Sequence, residues 1–201
     1  MANTITNRVL IEAFGPSQGT LLRVKQVALV VAGIAALAIL AKIKVAVPGS
    51  PVAMNMGTFA VLSIAATYGP RLGLTTIMGY MILGMLGFDI FQSSTADLNG
   101  ISYMLGSTGG YLLGYVAATV ALGLLARRGW DRSVVWMAAA MLIGNALIYV
   151  PGLVWLGQLY GWDQPILAWG LTPFLIGDAL KLALAAVVLP GLWALVGRAR
   201  G

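Results

Sequence analysis

The chain has no cysteine and no histidine, and in 201 residues it carries only six carboxylates. Without cysteine there can be no disulfide, no thiolate nucleophile and no thiolate metal site. Without histidine the commonest general base, metal ligand and near-neutral pH switch is gone as well. A membrane metalloprotease and a histidine-dependent hydrolase are therefore disfavoured, and neither a metal nor a cofactor is expected. Charge is scarce too: 9% of residues are charged, against roughly a quarter in a soluble domain.

Apolar residues fill the space, at 60% of the chain with a mean hydropathy of +0.92. Apolar runs of bilayer-spanning length predict an all-α, polytopic membrane protein with six transmembrane helices, at 24–43, 52–68, 72–87, 109–126, 134–156 and 177–196. Gly69-Pro70-Arg71 predicts a tight turn between the second and third spans. The resulting division is an N-terminal segment 1–23, a bundle 24–197 and a short tail 198–201, with no soluble domain. Residues 1–23 are polar and mixed, unlike a cleaved leader, so the first span is expected to stay as an anchor.

The net charge of +6 is not distributed as a nucleic-acid surface would be; the basic residues cluster at the ends of the apolar runs. Arg8, Arg23, Lys25, Arg71, Arg127, Arg128, Arg132, Arg198 and Arg200 fall on one side, and only Lys42 and Lys44 on the other. The positive-inside bias then makes both termini cytoplasmic. The outward connections are long and polar, at 45–54, 88–108 and 157–172. They read either as solvated connectors or as loops covering a pocket.

Asp178 and Lys181 lie inside a run, 175–196, with no other ionisable group. Charges within a span are costly and usually face the bundle interior, a partner or a ligand. Three residues apart, the two share a helix face and can offset each other. They form either a neutralised structural pair or a recognition site with one acceptor and one donor. Asn99-Gly100 suits an ordinary turn, or an amide offered to a planar ligand. Asn145 and Tyr149 share a face of the fifth span; Asn145 suits a bond between helices or a ligand contact. Pro151 is expected to bend or end that helix. Tyr111 follows Gly106-Ser107-Thr108-Gly109-Gly110, a glycine-rich stretch without the Gly-Lys-Ser/Thr ending of a phosphate loop. It belongs at a pocket rim or the membrane interface. Ala28, Ala32 and Ala36 recur every fourth residue, a stripe that permits close helix approach inside the bundle or against a partner.

Several stretches, in order, resemble one family. They are Val47-Pro48-Gly49-Ser50-Pro51-Val52, Thr58-Phe59-Ala60-Val61-Leu62, Gly69-Pro70-Arg71-Leu72-Gly73, Gly106 to Leu112, Ile148-Tyr149 and Pro173 to Lys181. Together they look like BioY, the biotin-specific substrate-binding (S) component of energy-coupling factor (ECF) transporters. The resemblance implies a six-helix S component in the plasma (inner) membrane of a prokaryote. It implies biotin capture from the outer face, with Asp178, Lys181 and Asn99 as binding residues. It also implies docking of the first helix on a transmembrane coupling (T) component joined to two ATPases, since this chain has no Walker motif. The departures are Leu112, where some relatives have a basic residue, Gly57 in place of a Gln, Ser107 in place of a Pro, and Phe88-Asp89-Ile90-Phe91. The reading of a different class is an intramembrane Ser–Lys hydrolase with Lys181 as base. Asp178 beside Lys181 would keep that amine charged, and no serine is placed by sequence to partner it.

Overall fold

The computed structural model describes residues 8–198. Arg200 and most of the expected tail 198–201 lie outside the described residues, as do the first residues of segment 1–23. In lipid, backbone groups must be satisfied within each segment, and the described residues are accordingly mostly helical. The order is α1 (Gly19–Lys42), a two-stranded ribbon of β1 (Lys44–Val45) and β2 (Met54–Asn55), α2 (Gly57–Met85), the short α3 (Gly100–Met104), α4 (Gly109–Arg127), α5 (Val134–Tyr160), the short α6 (Ile166–Gly170) and α7 (Leu175–Arg198). Among the described residues, α1, α4, α5 and the stretch Ile166–Val196 are long and apolar enough to cross a bilayer.

The remaining two predicted spans are the arms of α2. Gly69 has φ 76° and breaks the helix, a conformation that glycine adopts without a Cβ penalty. Pro70 then stands at the first position of the second arm, where its missing N–H costs nothing. The arms, residues 57–68 and 70–85, fold back on each other. A Cβ added at Gly73 would lie 3.5 Å from the Ala65 Cα. The predicted tight turn is therefore present, although the second span begins at Gly57 and not at 52. Residues 52–56 are used instead for β2 and its approach.

α4 runs through the middle, between α2 and α5. Its Gly114 sits so close to α5 that a Cβ there would be 2.6 Å from the Ile148 Cα. Pro151 does not end α5, which continues to Tyr160; prolines are tolerated in membrane helices where neighbouring packing covers the freed backbone groups. Segment 1–23, expected to lie outside the bundle, contributes to it. Val9, Leu10 and Ala13 are buried, with Val9 against the Gly69 turn, and residues from Gly19 onward are already helical. Three apolar residues in a row there, Val9 to Ile11, gain by covering that turn.

α1 packs on the bundle through Gly33, Leu37 and Ala41. Ala28, Ala32 and Ala36 lie on its opposite, exposed face. The stripe is therefore not interior packing. At the far end of α1, the Lys42 ammonium donates to Asp89 Oδ1 at 2.5 Å and to Ser94 Oγ at 3.3 Å, tying down the loop after α2. That bond holds the Asp89 carboxyl below its usual range.

Candidate functional site

A cavity lies at the bundle end where α1 finishes, α2 both begins and returns, and α7 starts. One end of it is polar. Asp178, in the first turn of α7, is 5% exposed. Its Oδ1 accepts a bond from the Lys181 ammonium at 3.0 Å, and its Oδ2 accepts one from the Tyr149 hydroxyl. The i,i+3 spacing on α7 makes the first bond possible, and the packing of α5 on α7 supplies the second.

Lys181 donates twice more, to the Asn55 backbone carbonyl at 2.6 Å and to Thr58 Oγ1 at 3.2 Å. An ammonium has three donors, and here all three are engaged. No serine lines the cavity to act as its nucleophile. The Ser–Lys hydrolase reading has no support in this geometry.

Two side-chain amides form one edge. Asn55 Nδ2 donates to Gln92 Oε1, and Gln92 Nε2 donates to the Ala53 carbonyl at 2.6 Å. Gly57 is what leaves room for them, since a Cβ there would be 2.7 Å from Asn55 Oδ1 and 3.1 Å from the Tyr115 hydroxyl.

Aromatic rings make the walls. Phe91 stacks on Tyr103 with centroids 4.9 Å apart and meets Tyr80 edge-on at 5.3 Å. Tyr111 and Tyr149 meet edge-on at 6.1 Å, and the Tyr111 hydroxyl donates to the Gly170 carbonyl at 2.9 Å. Edge-on and offset stacked pairs are the favoured aromatic geometries. The cavity measures about 40 Å³. A neighbouring recess of about 130 Å³ shares Ala53, Gln92, Tyr103 and Thr108 with it and is otherwise lined by neutral residues such as Ser93, Leu98 and Ser107.

Four of the sequence-predicted residues, Tyr111, Tyr149, Asp178 and Lys181, thus line one cavity. Asn99 and Asn145 are not among its lining residues. Asn99 precedes α3, and its Nδ2 donates to the carbonyls of Thr95 and Ala96 at 3.1 and 3.0 Å; the turn is its use here. Asn145 is four residues from Tyr149, more than 5 Å further down α5 at 1.5 Å rise per residue. Sequence reasoning missed Asn55, Thr58, Gln92, Tyr80, Tyr103 and Tyr115. Tyr115 was signalled by its i+4 spacing from Tyr111, whereas Asn55 and Gln92 come from separate loops with no shared pattern. Leu112 also lines the cavity, leaving Lys181 as the cation among its lining residues. No group of three metal-ligating side chains occurs among the described residues.

Comparison with known proteins decides the family. The model described as the BioY family matches residues 14–198. The chain belongs to the BioY family. A "probable biotin transporter BioY" of Pyrococcus horikoshii is 32% identical over 83% of this chain and 95% of its own length. The "biotin transporter BioY" of Thermotoga maritima is 29% identical over 80% of this chain and 92% of its own. The fold matches a crystal structure described as the S-component for biotin from an ECF-type ABC transporter, with a TM-score of 0.73 and 18% identity over 89% of this chain and 95% of that one. BioY proteins are transporters and not enzymes, and the architecture found here is the S-component fold in a multi-pass membrane protein.

Proposed function

We propose that the Asp178 cavity captures biotin from the outer face of the membrane. The chain would then be the S component of an ECF-type importer whose ATP hydrolysis resides in partner subunits. The observation that carries this reading is the buried carboxylate of Asp178, oriented by Lys181 and Tyr149 and enclosed by aromatic walls, in a chain of the BioY family. Each Asp178 oxygen accepts one bond from the protein, so acceptor capacity remains for the two N–H groups of a ureido ring. The Asn55 and Gln92 amides supply neutral donors for its carbonyl. The aromatic walls suit the fused rings.

Lys181 has no donor to spare and serves to orient Asp178. The valerate chain runs instead toward the neighbouring recess, where the hydroxyls of Thr108 and of Ser93, the latter held by the Lys44 ammonium at 3.1 Å, meet its carboxylate. A cavity of about 40 Å³ is little more than a water's space, so binding requires the Asn55–Gln92 bond to open and the loop carrying Gln92 to move outward. Placement of the basic residues supports an outward site: Arg71, Arg127, Arg128 and Arg132 lie at the far end of the bundle, while the loops at the cavity end carry Lys42 and Lys44. The exposed Ala28, Ala32 and Ala36 face is the surface on which a T component would dock.

Calorimetric titration of the purified chain with biotin and with unrelated vitamins tests the reading; only biotin is expected to bind tightly. Asp178→Asn should weaken it by about 1.5–3 kcal/mol, the scale of a hydrogen bond to a charged group, or roughly ten- to a hundredfold. Biotin amide should bind the native chain within about threefold of biotin, because hydroxyls meet the carboxylate and the Lys44 ammonium stands behind Ser93 rather than on it. Unchanged affinity in Asp178→Asn would make the pair purely structural. A large penalty for the amide that disappears in Lys181→Ala would instead assign the carboxylate to Lys181.

A further inference from the structure

A recess larger than the Asp178 cavity lies at the other end of the bundle. It is a groove of about 520 Å³ between residues 8–17, the first turns of α1 and the start of the second arm of α2. Arg8, Lys25, Arg71 and Arg127 line it, with Glu12 as the lining carboxylate. Two of the cations are occupied. Lys25 donates to the backbone carbonyls of Ile11 and Phe14, which fastens the N-terminal segment to α1. Arg127 pairs with Glu12 at 2.8 Å. The guanidinium groups of Arg8 and Arg71 have no hydrogen bond or ion pair among the described residues. Two planar, permanently charged donors thus stand over one recess with nothing to hold, and guanidinium is well matched to phosphate oxygens.

The groove also has an apolar side. Leu22, Leu29 and Leu72 line it beside the arginines, and it borders the exposed apolar surface of α1 at Leu21 and Val24. A soluble phosphate compound needs no such wall; an amphiphile does. The groove lies where α1 and the second arm of α2 begin, which is the level of a bilayer headgroup region. Basic recesses between membrane helices at that depth select anionic headgroups.

We infer that this groove is a binding site for one anionic phospholipid, its phosphodiester held by Arg8 and Arg71 and its acyl chains lying along Leu22, Leu29 and Leu72. The inference does not depend on which ligand fills the Asp178 cavity. The site would fix the N-terminal segment and the α2 turn to the lipid leaflet at this end.

The test uses the full chain in neutral maltoside detergent, with native mass spectrometry of retained lipid and competition by inorganic phosphate. Phosphatidylglycerol should be retained as one molecule per chain, about tenfold more than phosphatidylcholine, and should weaken as salt is raised. Arg8→Gln with Arg71→Gln should reduce its retention about fivefold or more, while Arg128→Gln, exposed at the same end but outside the groove, should leave it unchanged. An unchanged gel-filtration profile and thermal midpoint in the same detergent show that the variants are folded. If the double variant cannot be purified, Arg71→Gln compared with Arg71→Lys replaces it, with loss in the first and retention in the second. Equal retention of the two lipids, or an equal loss in Arg128→Gln, overturns the inference in favour of diffuse charge attraction. Displacement by millimolar inorganic phosphate overturns it in favour of a soluble ligand. Unchanged lipid retention in the double variant, with co-purification of partner subunits lost, assigns the groove to an acidic protein surface and overturns it too.

Discussion

Asp178 and Asp131 are both buried carboxylates, and their surroundings differ. Asp178 has an ammonium and a phenol as partners. Asp131, 2% exposed, accepts a bond from Trp193 Nε1 at 2.5 Å, while its Oδ1 is buried without a hydrogen-bond partner among the described residues. Burial pushes the Asp131 carboxyl up to about 6, only partly opposed by Trp193 and Arg132. The folded chain therefore holds a proton between about pH 4 and pH 6 that the unfolded chain has released, and stability falls as pH rises through that window. Asp131→Asn keeps an acceptor for Trp193 and removes the buried charge. It should raise the thermal midpoint in detergent at pH 7.5, by the equivalent of up to roughly 2–3 kcal/mol, and have little effect near pH 4. A midpoint lowered equally at both pH values would show that the charge is used, with Arg132 as the obvious candidate partner.

At the scale of elements, α1 has two distinct faces. Its inner face is tightly set: a Cβ at Gly33 would come 2.7 Å from Thr76 Cγ2. Its outer face exposes Ala28, Ala32 and Ala36, small residues that let another helix approach closely. Ala32→Trp adds bulk only on the outer side, so biotin affinity in detergent should stay within about twofold of native while co-purification with a T component falls about tenfold or more. Both measurements are needed. A collapse of biotin binding itself would mean that α1 shifts on the bundle and that the outer face is not simply a docking surface. Tight helix packing also explains why α5 does not end at Pro151. The sequence shows a proline but not the neighbour that makes it tolerable.

For the whole molecule, the two ends of the bundle differ in charge and in architecture. The cavity end carries the ribbon, α3, α6 and the loop held by Lys42. The other end carries the Gly69 turn, the 3₁₀ turn Trp130–Arg132 and the basic groove. The positive-inside bias predicts that the groove end faces the cytoplasm. A periplasm-active reporter inserted between Arg127 and Arg132 should be silent, and one inserted within 93–98 should be active. Activity at the first position would invert the topology and turn the Asp178 cavity toward the cytoplasm, which is incompatible with capture from outside.

The apolar run lengths, the break at Gly69-Pro70 and the isolated pair Asp178 and Lys181 determined much by themselves: a helical membrane bundle, a tight helical turn and an ion pair on one face of the last span. These are legible because lipid forces each span to close its own backbone bonds, and because an ionisable pair inside an apolar run has few explanations. Tertiary structure decided what depends on distant segments meeting. It brought Asn55 from the ribbon and Gln92 from the following loop into one hydrogen bond, turned Lys181 toward a backbone carbonyl that no pattern announces, and left Asn99 and Asn145 outside the cavity. It also folded Val9 to Ala13 onto the bundle and so built the basic groove. Helical spacing specifies which residues share a face, but only the packing of one helix on another specifies what that face meets.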